Sequence, residues 1–465
     1  MSMVTDDFNA RLKSAVVGTP EASLVFLGNF EVEGQWAIGE PALPGIAFKA
    51  GRAVVNRMDE FALLLATKSD YVVLKDAPDE GYLRYLADLG LELPRILSMR
   101  SQDPQRMVTE DALADPAMIA GLARLASEGC WLAPHGVSTL EEQLAERSGL
   151  ALAAPGAAIC KAVNSKIYSR RLADELGLRQ PRGWACDTLA ELEEAVAGAR
   201  ELLAAGRRVV IKDAFGVSGK GIAVVDTEHR LDRLHRMVTR HAERSGQQRA
   251  GLVVEEWVGK RGDLNYQFTI GRDGAVCFDF VKDALTEAGV HKGHRFPAQL
   301  TTAQVDELAE AARRIGARLA ADGYFGVAGV DALVDPEGGL FPVIEINARN
   351  NMSTYQVLVQ QAFAGTGKVA LARHYGLRLT RELSFDALRR QLDGVLFDRS
   401  TGIGLLVNNF ATVNAAAPVP GTAPERPFDG RLYGLVVARS AEQLAAMDNE
   451  ITARLAVVHG GSGDD

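Results

Sequence analysis

Short apolar runs alternate along this chain with longer amphipathic stretches. SLVFLGNF (23–30) is a brief apolar run that ends in Gly and Asn, the pattern of a buried strand entering a turn. DYVVLKD (70–76) is a second. DEGYLRYLADLG (79–90) sets Leu83, Leu86 and Leu89 on one helical face and stops at Gly90, and DPAMIAGLARLA (115–126) places Pro116 in the first turn of another helix. Strands alternating with helices over residues 1–155 predict a parallel sheet with helices on its faces.

The pattern changes in LAAPGAAICKAVNSKIYSRRLADELGL (152–178), where Asn164 and Ser165 cap a helix that ends near Gly177 before Gln180-Pro181 breaks the chain. TLAELEEAVAGARELLA (188–204) is a helix and RRVVIKD (207–213) a buried strand, followed by the Gly-rich turn AFGVSGKGIAVV (214–225). LVVEEWV (252–258) is a strand, and DLNYQFTIG (263–271) with GAVCFDFVKD (274–283) forms a hairpin around Arg272-Asp273-Gly274. TTAQVDELAEAARRIGARLA (301–320) is an amphipathic helix opened by a Thr cap. YFGVAGVDALVD (324–335) and GLFPVIEINAR (339–349) form a strand–turn–strand unit. Beyond a Pro/Ala/Gly-rich connector (415–430), RLYGLVVAR (431–439) is a strand and SAEQLAAMDNEITARLA (440–456) a helix capped by Ser440. No internal repeat appears.

Composition narrows the classes. The 465 residues, 47% hydrophobic, predict two to four domains at roughly 100–200 residues each. A net charge of −9 argues against a protein that works by gripping nucleic acid non-specifically, which should be basic overall. The cysteines (Cys130, Cys160, Cys186, Cys277) lie far apart without CxxC spacing, which argues against zinc and disulfide scaffolds and predicts a reducing compartment. Asp6 and Asp7 stand where a signal peptide needs positive charge, and no run approaches the ~18 apolar residues of a membrane helix. The expectation is a cytoplasmic protein with no membrane or nucleic-acid partner.

Candidate chemistry gathers in the middle of the chain. Gly216, Gly219 and Gly221, with Ser218 and Lys220 between them, follow a strand, so the turn reads either as a cradle for phosphate or as a solvated hairpin turn. Both a Walker A loop and GxGxxG fail on spacing. Alternation puts Glu345 and Asn347 on one face of one strand, where Asp331 from an adjacent antiparallel strand could meet them. Three such oxygen donors suit magnesium, and the competing reading satisfies the acids with basic neighbours. Lys166 opens a helix and Lys212 ends a buried strand, where desolvation calls for an anion. Arg349 lies two residues beyond Asn347, able to hold a phosphoryl oxygen or carboxylate at two points. His135, His229, His235 and His241 lack metal spacing and are expected mostly at the surface. Ser353 has no nameable His or Asp partner, and GxSxG is absent.

IKDAFGVSGKGIAVV, VVEEWV, GVDALV and EINARNNMS, in this order, resemble the ATP-grasp superfamily of carboxylate–amine ligases. The resemblance implies an α/β (α+β) architecture. It comprises a Rossmann-like pre-ATP-grasp domain (1–155), an ATP-grasp core of two α+β subdomains (156–375, lid about 182–257), and a small C-terminal α/β domain (376–465) with a disordered tail (460–465). It implies that Lys166 and Lys212 contact the ATP phosphates, beside the turn residues Gly216, Ser218, Gly219, Lys220 and Gly221. Glu255, Glu256, Trp257 and Val258 would form the adenine hinge. Asp263 would hold the ribose, although the family's usual residue is Glu and the spacing is one longer. Asp331, Glu345 and Asn347 would hold two magnesium ions, with manganese as a substitute, and Arg349 would sit beside the transferring phosphoryl group. Lys282 and the loop 287–296, with Lys292, fall where the family has a mobile loop over the γ-phosphate; a solvated basic turn is the competing reading. Some members carry Arg two residues before the first metal Asp, where this chain has Gly329. GNF (28–30), GCWLAPHGVSTLEEQLA (129–145) and LFDRSTGIGLLV (396–407) further resemble pheganomycin-type bacterial peptide ligases.

The expected activity is ATP-dependent joining of a small-molecule or peptide carboxylate to an amine, through an acyl phosphate with release of ADP and phosphate, in peptide natural-product biosynthesis. The assembly leaves room for a homodimer. Alternatives are another ATP-grasp phosphoryl transferase or a non-catalytic ATP-binding module. GNFEVEG (28–34) lacks the glycine fingerprint of a dinucleotide-binding oxidoreductase.

Overall fold

The computed structural model describes residues 7–43, 52–216, 221–246, 248–287, 290–365, 367–418 and 427–457. Its N-terminal part is a parallel sheet of β1 (Leu24–Leu27), β2 (Tyr71–Leu74), β3 (Arg95–Ser98), β4 (Trp131–Pro134) and β5 (Ala151–Leu152), in the order β3-β2-β1-β4-β5. β1 and β2 are buried at every position, so their sequences are continuously apolar rather than alternating. The flanking helices carry the capping that their sequences foretell. Asp79 caps Glu80–Asp88, and Asp115 caps Pro116–Ser127 with Pro116 in the first turn.

A four-stranded antiparallel sheet follows: β6 (Gly183–Thr188), β7 (Val209–Asp213), β8 (Ile222–Val225) and β9 (Arg249–Glu256), in the order β6-β9-β7-β8. The helices Leu189–Ala204 and Glu228–Ser245 cover it, and their apolar faces close a core of their own around Val196, Ile211, Leu231 and Val254.

The third sheet is antiparallel. It contains β10 (Gly262–Ile270), β11 (Val276–Glu287), β12 (Val290–Phe296), β13 (Gly326–Val334), β14 (Leu340–Asn347), β15 (Val369–Leu379), β16 (Gly404–Asn409) and β17 (Phe428–Ala438). Its order is β14-β13-β10-β11-β12-β15-β17-β16. Tyr266, Phe268, Val330 and Ile346 on one face pack against Leu308, Ile315 and Leu319 of the helix Thr302–Ala321, which Thr301 caps as expected.

One expectation is corrected here. Residues 290–296 are not a loop: they form β12, paired to β11 on one side and β15 on the other. The polar sequence VHKGHRF hides a strand, because its backbone is satisfied by both neighbours whatever its side chains. The end of the chain continues the core sheet through β15, and Leu405, Leu406 and Val436 share one hydrophobic core with Phe26, Phe61 and Tyr82 of the N-terminal part. Ser218, Gly219, Lys220 and the tail 460–465 lie outside the described residues. Among the described residues, no helix is long and apolar enough to cross a membrane.

Candidate active site

Register brings the acids together. Asp331 on β13 stands opposite Glu345 on β14, and on its other side opposite Asn265 of β10, which in turn faces Lys282 of β11. Residues directly opposite in antiparallel strands project to the same face, so Glu345, Asp331, Asn265 and Lys282 form one polar row across four strands. Asn265 donates its amide to Asp331 at 2.9 Å, and Asn347 reaches the other carboxylate oxygen at 3.4 Å. Burial, and then the charge of Glu345, push the Asp331 carboxyl up to about 6. Two carboxylates this close need a compensating cation. Lys166, at the start of the helix Lys166–Glu175, supplies one, with Nζ 2.6 Å from Glu345 and 2.9 Å from the Gly216 carbonyl.

The lysine of the neighbouring sheet is differently placed. Lys212 is buried and donates to Glu255, which Arg170 also approaches at 3.3 Å. The anion that the burial of Lys212 calls for comes from the protein itself: Glu255 on the adjacent strand balances it. Glu256 pairs with Arg207 and is buried as well, so both glutamates of the expected hinge serve as counter-ions within this sheet. The Glu256 and Trp257 amides donate to Arg182 and Arg208 carbonyls at 2.7 and 2.8 Å, and Trp257 and Val258 are half-buried. Asp263, the expected ribose acid, is held by Lys260 at 2.6 Å and by the Thr286 hydroxyl. Gly221 has φ +76°, and a Cβ there would come within 2.4 Å of Asp213, so the end of the Gly-rich turn requires glycine.

Arg349 follows β14 and is gripped from the N-terminal part. Glu33, in the short helix Val32–Trp36, accepts from its Nε at 2.8 Å and also from Nη2. Asn347 accepts from Nη2 at 3.1 Å and the Asn350 carbonyl from Nη1 at 3.0 Å. Sequence reasoning missed Glu33; its segment GNFEVEG was read only for the glycines it lacks. Gly329, where some relatives have Arg, stands opposite Asn347, and a Cβ there would strike the Asn351 amide at 2.4 Å.

Lys282 is fully buried, 3.3 Å from the Ser353 carbonyl and 4.3 Å from the centre of the Phe280 ring, and burial lowers its ammonium to about 7. Lys292 lies exposed on β12. Two further readings change. Ser353 does have a histidine partner, His294 of β12, at 3.2 Å, and its hydroxyl also meets the Asn265 amide oxygen at 3.1 Å. His135 is not a surface residue: it is buried, packed at a tilt against Phe30, stacked with Tyr355 and hydrogen-bonded to the Tyr355 hydroxyl at 3.0 Å. Burial, and then the nearby Arg349 charge, hold its pKa well below the usual range.

A parallel α/β unit feeding an antiparallel sheet that ends in paired acids, with a smaller antiparallel sheet carrying buried lysine, defines the ATP-grasp class of fold. Residues 58–150 match the Pre ATP-grasp domain, and residues 165–368 match the carbamoyl-phosphate synthase L chain, ATP binding domain. The chain thus carries a pre-ATP-grasp domain followed by an ATP-grasp ATP-binding domain. It is 28% identical over 314 residues to the [butirosin acyl-carrier protein]–L-glutamate ligase of Niallia circulans, covering 67% of this chain and 68% of that one. Biotin carboxylase from Campylobacter jejuni, in complex with β,γ-ATP, superposes with a TM-score of 0.55 at 16% identity, over 93% of this chain and 91% of that one. The biotin carboxylase domain of Hydrogenobacter thermophilus 2-oxoglutarate carboxylase, with MgADP and bicarbonate, gives 0.51 at 14% identity, over 90% and 86%.

Proposed function

We propose that the chain is an ADP-forming ligase that joins a carboxylic acid to an amine as a peptide (amide) bond through an acyl phosphate. The observation that carries this reading is the convergence of Asp331, Glu345 and Asn347 with Lys166 and Arg349 at the end of β13 and β14. Binding a nucleotide alone needs no paired acids beside an arginine. Transferring a phosphoryl group to a carboxylate needs both, because negative charge builds between two anions.

The donor set fits magnesium. Two carboxylates and an amide are hard oxygen ligands, and the burial and Glu345 repulsion that lift the Asp331 carboxyl are what a dication would offset. Asp331, Glu345 and Asn347 would hold two magnesium ions, or manganese in their place, which would supply neutralisation of the nucleotide's phosphate charge. Lys166 and Lys212, with Gly216 to Gly221, would steady the phosphates, and Glu255 to Val258 with Asp263 the nucleoside.

A carboxylate does not condense with an amine at neutral pH, because its oxygen is a poor leaving group. Attack of the acid's oxygen on the terminal phosphorus of ATP expels ADP and gives the acyl phosphate. The amine then attacks the acyl carbon, and phosphate leaves. Arg349 would stabilise the anionic charge in both steps, with Lys282 and Lys292 as further cations on the acid side. No protein nucleophile is needed. The substrates are small molecules or peptides of natural-product assembly. We assign the organisation 1–155, 156–375 with a lid about 182–257, and 376–465, in a cytoplasmic enzyme able to form a homodimer.

The test pairs amino acids and peptides, L-glutamate among them, as acid and as amine, and measures ADP and phosphate. Amine-dependent ADP release with amide product supports the reading. Release of AMP, or ADP release with a hydroxyl acceptor and no amide, overturns it.

A further inference from the structure

Glu33 and Arg349 are 316 residues apart and belong to different parts of the fold, yet the carboxylate meets the guanidinium along its Nε–Nη2 edge. Arginine has five N–H donors in one plane. Here Glu33 takes two, Asn347 one and the Asn350 carbonyl one, which fixes the plane and leaves a single Nη1–H. The side chains keep 14% and 18% of their exposure, so the pair is partly open to solvent rather than sealed in the core.

The support behind Glu33 is rigid. Val32 and Trp36 of its helix are buried, and the Trp36 indole donates to the Val137 carbonyl at 2.8 Å. Just before the helix, Asn29 donates to the Gly136 carbonyl at 2.8 Å and accepts from the His135 amide at 2.9 Å. The loop after Arg349 is tied to the same place, because the Asn350 amide donates to the His135 carbonyl at 3.0 Å. An aromatic group, the buried His135 and Tyr355 with the half-buried Phe30, packs beside the two attachments.

We infer that Glu33 is a positioning residue for Arg349, so that the N-terminal unit completes the ligase site. The inference rests on the role given to Arg349 above. A carboxylate that merely restrained the arginine until an anionic substrate displaced it would need freedom to swing away. The buried Val32 and Trp36 and the bonds of Asn29 hold the backbone that carries Glu33, and the two contacts to the guanidinium hold its carboxylate. A fixed carboxylate instead holds the guanidinium plane so that its remaining N–H and its charge meet the acyl phosphate in one orientation. Orientation of this kind is realised only where charge develops, so its loss is read in kcat rather than in ATP binding.

The experiment compares wild type, Glu33→Gln, Arg349→Ala and the double variant, measuring kcat, the KM for ATP, amide product and melting temperature. Glu33→Gln should lower kcat by about 10²-fold while the KM for ATP and the melting temperature stay near wild type. In the Arg349→Ala background it should cost nothing further, because the group it orients is gone. Unchanged or raised kcat in Glu33→Gln, or full additivity in the double variant, overturns the inference. Should Glu33→Gln melt early, Glu33→Asp keeps the charge and shortens the reach. There too kcat must fall with the KM for ATP unchanged, and wild-type kcat overturns the inference. If the wild type itself makes no amide with any pair, the ligase reading fails instead, and the two failures are distinct.

Discussion

Lys166 and Glu345 form a 2.6 Å ion pair across 179 residues of sequence, and the same ammonium holds the Gly216 carbonyl at 2.9 Å. One lysine thus ties the start of a helix, the entrance of the Gly-rich turn and the proposed metal strand together. Lys166 thereby places a positive charge beside the paired carboxylates of Asp331 and Glu345.

Glu345→Gln and Asp331→Asn should each fold normally and form no ADP at ordinary magnesium. Thermal melting with and without magnesium checks this apart from turnover: wild type should gain stability from the ion, and both variants should lose most of that gain. Activity with unchanged magnesium dependence in both would sink the metal assignment.

Lys212→Met should both weaken ATP use and lower stability, because it leaves Glu255 buried with Arg170 as its remaining partner. Breaking a buried pair from one side costs about 3–5 kcal/mol. Lys212→Met/Glu255→Gln should recover much of the melting temperature and none of the ATP affinity. If affinity for ATP stays at the wild-type level in both, Lys212 serves the fold alone.

The Asp331 carboxyl, pushed up to about 6, gives the enzyme an acid limit. Above that value it is an anionic ligand; below it the proton competes with the ion. The KM for magnesium should therefore rise as pH falls through 6. A flat magnesium dependence between pH 5 and 8 would contradict this.

Lys282, lowered to about 7 by burial, should destabilise the fold most in acid. Below 7 it is charged in the folded and unfolded states alike, so the full cost of burying the ammonium is present. That cost is relieved as pH rises from 7 towards the ordinary lysine value of about 10.5. Lys282→Met should raise the melting temperature more at pH 6 than at pH 9.5. An equal gain at both would mean that the ammonium is not desolvated.

Arg349→Ala should lower kcat far more than it raises the KM for ATP, by about 10²–10³-fold in rate. Lysine should rescue poorly, since a point charge cannot reproduce the planar contacts to Glu33, Asn347 and Asn350. A folded Arg349→Ala enzyme with normal turnover would remove Arg349 from the site.

The sequence by itself determined the local parts. Thr301, Ser165 and Ser440 announce their helices because capping is settled within three residues of the cap. The hairpin of β10 and β11 and the unit of β13 and β14 follow from periodicity and their turns, and alternation alone puts Glu345 and Asn347 on one face. The tertiary structure decided which side chains meet. β12 carries Lys292, His294 and Arg295 and reads as a basic loop, yet β11 and β15 make it a strand. Lys212 needs no phosphate to justify its burial once β9 brings Glu255 beside it, and Glu33 gains its meaning when the N-terminal helix lands on Arg349. Caps and periodicities depend on neighbours a few residues away. Ion pairs between distant segments depend on strand register and on which surfaces bury their apolar faces against each other, and those are fixed when the whole chain packs.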